Sequence, residues 1–369
     1  MKFSFLVIAS FLSVAYGADE MKMLSLENRV SRLEKNQLKL EESSHVAKEG
    51  FDIDRDVALS VEGLYWGIRE DGLGFVIKGV KGSDTITNIP QQIEYLDWNW
   101  TGGVRAMARF NMGYDTWDAG VTYTYYNNNS HKKKGVSALS DTAGQKVLLT
   151  VWSAILGPGE ANYASMQYHF NLNEVDFDVS RGFWLSPSVV FRPAFGIRGA
   201  RLDSHSKVFY STQYSAVSTH YHDTVNLTQH TKALGPKGNL DTEWYVNRIF
   251  SIYFNLGFGL LWGNFSMTQH EEFENVVTDA STSMKYKNSY LSTLPVVDMV
   301  LGMRAGFWFW DNKAHLEFNA GWDQHLWFNY NKMQKTVNHN TTLTYTGLYS
   351  ESNGNLTLSG LSAGVRLDF

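Results

Sequence analysis

Apolar and polar residues alternate with a period of two along most of this chain. Near its C-terminus, Leu361, Ala363, Val365, Leu367 and Phe369 interleave with Gly360, Ser362, Gly364, Arg366 and Asp368. Alternate side chains of a strand point to opposite faces, so the stretch presents one oily and one polar flank. The five apolar residues, ending on an aromatic carboxyl-terminal residue, are expected to act as the assembly signal of a strand that closes a transmembrane barrel, since a closed barrel leaves no unpaired edge in lipid.

The same pattern recurs upstream. Val104, Ala106, Ala108, Phe110 and Met112 share a face opposite Arg105, Met107, Arg109 and Asn111, and Trp117, Ala119, Val121, Tyr123 and Tyr125 oppose Asp118, Gly120, Thr122 and Thr124. Ile252 to Trp262, Val297 to Phe309 and Ala314 to Trp322 repeat it with apolar outer faces. Short turns are predicted at Gly113 to Thr116, Ser180 to Gly182, Asn247-Arg248 and Asp311-Asn312. Long polar loops are predicted near Asn127 to Gln145, Ser204 to Asn239, Gln269 to Lys287 and Asn331 to Asn355. Short turns at one end and long loops at the other describe a bacterial outer-membrane barrel with its short turns in the periplasm. A soluble sandwich also alternates. Aromatic placement favours the barrel, because Tyr114, Trp117, Phe183, Trp184, Trp244, Tyr245, Trp308, Trp310 and Phe369 gather beside the short turns, at the level of lipid headgroups.

The predicted fold is therefore all-β, a transmembrane antiparallel β-barrel over 49–369. Pairing turns with loops gives about ten strands, or twelve if Gly72 to Val80 and Thr342 to Leu348 add a hairpin, with up to about sixteen as the alternative if long segments such as Val147 to Phe170 are themselves hairpins. Residues 1–17 read as an export signal, with Lys2, an apolar run and Ala15-Tyr16-Gly17 as cleavage site. In 18–48, Met23, Leu26, Val30, Leu33 and Leu40 form a short a/d seam, a coiled coil or amphipathic helix expected to assist homo-oligomerisation.

Composition narrows the alternatives. The chain has 369 residues with 43% hydrophobic and 14% aromatic content, and no later window approaches a helical membrane span. A net charge of −5 with no long basic run argues against nucleic acid. The absence of Cys excludes disulfides, thiolate nucleophiles and cysteine metal sites.

Four blocks carry a resemblance: Tyr65-Trp66 followed by Arg69-Glu70-Asp71-Gly72-Leu73, Arg192 to Ala200, Leu256 to Asn264, and Ala320 to His325, in this order before a terminal Phe. Together they resemble the Legionella-type pore-forming outer-membrane protein family, to which the major-outer-membrane-protein-like porins of environmental chlamydiae belong. The resemblance runs from about Leu59 to Phe369 and implies a surface-exposed barrel that passes small solutes. One departure is the lack of Cys, so this chain cannot cross-link an envelope as cysteine-rich members do.

Candidate chemistry agrees with transport more than catalysis. His315, Glu317, Asp323 and His325 face inward without a nucleophile nearby, and His220, His222, His230 and Asp223 lie in a polar stretch with only a weak case for a metal. No cofactor, metal or enzymatic activity is expected. The pore-lining candidates are Arg105, Arg109, Glu174, Asp176, Arg192, Arg198, Glu243, Arg304, His315, Glu317, Asp323 and Arg366, a lumen of opposed charges suited to steering ions. The expectation is an outer-membrane porin for small hydrophilic solutes and ions, assembled by the barrel-assembly machinery among outer-membrane lipids. The rival reading is an adhesin or structural barrel whose loops bind a host or partner. Paired charges can also knit a narrow wall without admitting anything.

Overall fold

The computed structural model describes residues 57–369 apart from 81–91, 114–116, 141–143, 156–158, 215–219, 311–313, 342–343 and 352–353. The export signal, the a/d seam and the turn residues 114–116 and 311–312 lie outside the described residues. Among those described, the strands in chain order are β1 (Val57–Glu70), β2 (Val76–Val80), β3 (Gln92–Glu94), β4 (Trp100–Asn111), β5 (Trp117–Gly135), β6 (Lys146–Thr150), β7 (Glu160–Ala161), β8 (Tyr163–Arg181) and β9 (Phe183–Ser186). There follow β10 (Val189–Gln213), β11 (His220–Tyr245), β12 (Phe250–Asn275), β13 (Ala280–Phe309), β14 (Ala314–Asn331), β15 (Gln334–Thr341), β16 (Thr344–Glu351) and β17 (Gly354–Asp368).

Ten of these close an antiparallel barrel in the order β1-β4-β5-β8-β10-β11-β12-β13-β14-β17, with β17 pairing back onto β1. At that seam Ala58 lies opposite Asp368 and Glu70 opposite Leu356. The Val57 N–H donates to the Phe369 carbonyl at 3.1 Å, and the Phe369 N–H to the Val57 carbonyl at 3.0 Å. Short turns join the strands at one end. Asn111 Oδ1 accepts from the Gly113 N–H at 2.9 Å, and Gly113 takes φ +68°, which glycine adopts without strain. Asn247 Oδ1 accepts from the N–H groups of Ile249 and Phe250, both at 2.8 Å, in the turn between β11 and β12.

The count of ten meets the lower expectation; what lies beyond it differs from the sequence reading. Gly72 to Val80 adds no barrel hairpin: β2 belongs to a separate sheet, β3-β2-β6-β7, whose flanks pack against the inward side of the wall. Nor does Val147 to Phe170 form two barrel strands, since β6 and β7 lie in the inner sheet and only β8 in the wall. Of the stretch Thr342 to Leu348, residues 342–343 lie outside the described residues and Thr344 to Leu348 belongs to β16, which pairs with β15 outside the barrel sheet. The stretches expected as long polar loops, Ser204 to Asn239 and Gln269 to Lys287, are mostly strand. β10 pairs with β11 without interruption from Val189 and Trp244 to Gln213 and His220. β13 alone is 30 residues long. About 10 residues of tilted strand cross the hydrocarbon, so these strands run far past it.

The two halves of each long strand differ in chemistry. Toward the short turns the outward residues are apolar and exposed, with Phe195 72%, Leu301 58% and Phe258 56% exposed, as only lipid contact allows over so wide a band. Inward positions at that level are charged or polar. Farther along the same strands the faces exchange roles: Leu172, Phe170, Tyr168 and Met166 of β8, Leu202, Val208 and Tyr210 of β10, and Leu261 and Phe265 of β12 turn inward and are buried. Their outward neighbours there are polar, including Asn171, His169, Asn264 and Thr268.

Candidate functional site

The interior at the lipid level is a vestibule of charge held by alternate residues of every wall strand. All twelve pore-lining candidates lie on inward positions. Near the short-turn end Arg109 donates to Asp118 at 3.0 Å, Ser180 at 2.8 Å and Asp178 at 3.3 Å, and Arg192 donates to Asp118 at 2.7 Å. Across from them Arg304 donates to Glu243 at 2.7 Å and pairs with Glu317 at 3.3 Å. Arg366 donates to Asp368 at 2.7 Å, and His315 lies 3.1 Å from the same carboxylate.

Two arginines occupy the next level. Arg198 grips Asp176 through two bonds of 2.8 Å and reaches Asp298 at 2.7 Å and Glu174 at 3.2 Å, while Lys237 joins Asp176. Arg105 donates to Glu62 and Asp323, both at 2.9 Å, and Ser362 donates to Asp323 at 2.7 Å. Charged hydrogen bonds of this kind are the strong ones, and a planar guanidinium is suited to holding two carboxylates at once. Glycine makes room for bulk in this layer. A Cβ at Gly302 or Gly321 would lie 2.6 Å from Tyr253, whose ring takes Arg304 at 4.2 Å. Between the clusters is a cavity of about 180 Å³ lined by both signs of charge, including Arg105, Arg198, Asp176 and Glu243. That is room for on the order of ten waters.

Above the vestibule the interior is mostly apolar and buried. Trp66, 1% exposed, forms the boundary, 5.4 Å from the Arg105 guanidinium, 4.8 Å from the His325 ring and 5.5 Å from Tyr126. Trp327 caps Arg198 at 5.9 Å. From there a contiguous apolar septum fills the barrel. Leu64, Phe170, Leu202, Leu227, Phe265, Leu294, Tyr330 and Leu358 of the wall pack with Phe75, Val76, Leu148 and Trp152 of the inner sheet and its flanks.

Polar bonds fix the inner segments to the wall. Glu271 on β12 accepts from the Ser153 hydroxyl at 3.0 Å and from the N–H groups of Ala154 at 2.9 Å and Ile155 at 2.8 Å. The Tyr210 hydroxyl on β10 donates to the Phe75 carbonyl at 2.5 Å and accepts from the N–H groups of Val151 and Trp152, both at 3.2 Å. Glu70 bonds to Tyr168, and burial pushes its carboxyl up to about 8. Burial, aided by the neighbouring Glu271, pushes Asp223 up to about 7.

The sequence reading missed the septum, although a signal exists: the parity of apolar positions flips within single strands, from odd in Val175-Phe177-Val179 to even in Ala164 to Leu172. The aromatic girdle also needs correction. Phe183, Trp244 and Phe369 face out and Trp310 is exposed beyond the end of β13, whereas Trp184 stacks on Tyr245 at 6.0 Å and Trp308 leans on His315 at 4.6 Å, because Trp184, Tyr245 and Trp308 fall on the inward parity at the barrel mouth. The assembly-signal residues Leu361, Ala363, Val365, Leu367 and Phe369 lie on outward positions beside the β1 seam. Of the histidines weighed for a metal, His220 and His222 are neighbours at 4.6 Å while His230 bonds Asp203 at 2.6 Å. No metal-binding group of three or more His, Asp or Glu occurs among the described residues.

A lipid-facing apolar band, short turns at one end, a charged interior and complete backbone closure define a transmembrane β-barrel of the bacterial outer membrane. The family model described as the Legionella pneumophila major outer membrane protein precursor matches residues 52–369, and the chain belongs to that family. No curated protein matches. Among solved structures, the outer membrane protease OmpT of Escherichia coli aligns at 12% identity and TM-score 0.42, covering 85% of this chain and 97% of that one. The translocator domain of the autotransporter NalP from Neisseria meningitidis aligns at 9% identity and TM-score 0.30, covering 93% and 98%. A Pseudomonas aeruginosa FadL homologue aligns at 8% and 0.23, covering 86% and 90%. At these scores the alignments say nothing of activity.

Proposed function

We propose that this chain is a narrow, gated outer-membrane channel for small ions and hydrophilic solutes, whose outer end is closed in this structure. The observation that carries the reading is the origin of the septum. Its inner half comes from segments between wall strands, around β2, β3, β6 and β7, docked into the lumen by apolar packing on the wall and a few polar bonds. An element added to a complete barrel can leave without breaking a wall hydrogen bond. Below it, opposed charges around a cavity with room for water offer ions a path that an apolar filling would not.

The septum itself favours a second reading, a sealed barrel that anchors an extended cell-surface structure. Conductance across planar bilayers separates the two. Discrete, voltage-responsive openings support the channel; a silent membrane containing folded protein supports the anchor. In a conducting form, Arg105→Gln frees Glu62 and Asp323 and should move the reversal potential toward cation selectivity. An unchanged potential removes Arg105 from the ion path.

A further inference from the structure

Outside the barrel, above the lipid band, one face of the wall is basic. On β8 the last exposed apolar residue is Val175, followed outward by Asn173, Asn171 and His169. His169 lies opposite His205 of β10 and Asn129 of β5 in the strand register. A dent of about 300 Å³ opens there, lined by His131, His169, His205 and Lys207 among others. The carboxylate on this face is Asp203, and Arg201 at 2.8 Å and His230 at 2.6 Å already hold it. Among the described residues none of His131, His169, His205 and Lys207 has a carboxylate in ion-pair distance. The patch thus carries the fixed charge of Lys207 and three imidazoles able to take up protons, none of them held by a carboxylate, facing away from the protein.

We infer that this face of β5, β8, β10 and β11 binds the phosphate-bearing sugars of an outer-leaflet glycolipid. Height chooses the partner. Six residues separate Val175 from His169; at about 3.3 Å per residue and a tilt near 40°, His169 stands about 15 Å above the last lipid-facing side chain of its strand. Phospholipid headgroups extend only about 5–7 Å beyond the hydrocarbon. Anions that reach the dent must therefore be carried on a headgroup several sugars tall, anchored in the outer leaflet beside the wall.

Imidazole chemistry fits an anion better than a metal. The Nδ1 atoms of His169 and His205 are engaged by Asn129 at 2.7 Å and Thr228 at 3.0 Å, which leaves each Nε2 to gain a proton and donate outward. Partial burial, then the charges of His169, Lys207 and His230, hold the His205 imidazole below its ordinary range. His131 of β5 lines the same dent, Lys133 lies two positions farther along that strand, and Asp203, two residues from His205 on β10, is bonded to His230. A phosphate in the dent reverses the balance, so binding takes up protons and is tighter at pH 6 than at pH 8.

The test uses the full-length protein in detergent and native mass spectrometry or thermophoresis with three probes: lipopolysaccharide with a phosphorylated inner core, the same material dephosphorylated, and inorganic phosphate. Expected results are at least tenfold weaker binding after dephosphorylation and in His169→Gln/His205→Gln, with no saturable binding of inorganic phosphate at millimolar concentration. Lys285→Gln/Lys287→Gln, at outward positions of β13, should bind as the parent does. Equal affinity for the dephosphorylated glycolipid, undiminished binding by the histidine variant, or an equal loss in the lysine variant would each overturn the proposal. Inorganic phosphate binding as tightly as the glycolipid would overturn it as well.

Discussion

Removing the two wall-side latches is the sharpest test of a movable septum. In Glu271→Ala/Tyr210→Phe the N–H groups of Val151, Trp152, Ala154 and Ile155 and the Phe75 carbonyl lose the bonds they make to the wall. An unsatisfied buried polar group costs about 1–3 kcal/mol. With five groups affected and some of them rehydrating, the docked state should lose on the order of 5 kcal/mol or more. A closed state favoured by less than that becomes the minority form, and each 1.4 kcal/mol beyond parity multiplies the open-to-closed ratio about tenfold. None of the deleted bonds belongs to the wall ladder, so the barrel should keep its heat-modifiable electrophoretic mobility. Single-channel recording should show rare openings in the parent and sustained ones in the double variant. If the variant is folded by mobility and its current matches the parent, the inner sheet is not a gate and the channel reading fails with it.

Three further outcomes follow from the same geometry. Arg198→Met removes the guanidinium shared by Asp176, Glu174 and Asp298, leaving Lys237 on Asp176 and His325 on Asp298; the loss should be about 3–5 kcal/mol of unfolding free energy, and a denaturant midpoint equal to the parent's would mean that Lys237 and His325 suffice to hold the trio. Glu70 and Asp223 titrate near 8 and near 7 when folded, above their ordinary carboxylate values, so the septum is strongest below about pH 4 and loses stability as pH rises through 7 to 8. Open probability should rise between pH 6 and pH 9, and a flat profile would contradict the assignment of these carboxyls to the closed state. Deleting Phe369 removes its paired backbone bonds with Val57 at the seam, and assembly into heat-modifiable barrel should fall; normal yield and mobility would show that the remaining β1–β17 ladder suffices.

The lipid-facing half was legible because a single rule applies there: outward positions meet hydrocarbon, and Leu59, Val61, Phe258, Leu301 and Val365 alternate with residues that cannot. The same rule gave inward positions to Arg105, Arg198 and Arg304. It failed past Tyr65, Val175 and Trp262, where polar outward residues look like loop. Asn264, Ser266 and Thr268 carry no strand signal unless Leu261, Phe265 and Met267 are read as the partner face of the same strand. The inner sheet was harder still. β3 and β7 have three and two residues, too few for any periodicity, and their place is set by the wall around them.

Why the two faces trade chemistry follows from what lies outside the wall. A sheet needs water-averse contact on at least one side. Where lipid supplies it outside, the interior is free to carry charge, and it does so from Asp118 and Arg192 up to Arg198. Where the wall stands in water, only the interior can be dry, so the strands must pack inward on Tyr168, Leu202, Phe265 and the inner sheet or lose their reason to pair. The closed end is therefore the end that a ten-stranded barrel has to fill if its strands are to extend beyond the membrane. A channel built this way can open only while its projecting strands temporarily lose part of their core, which makes a low open probability a consequence of the strand length itself.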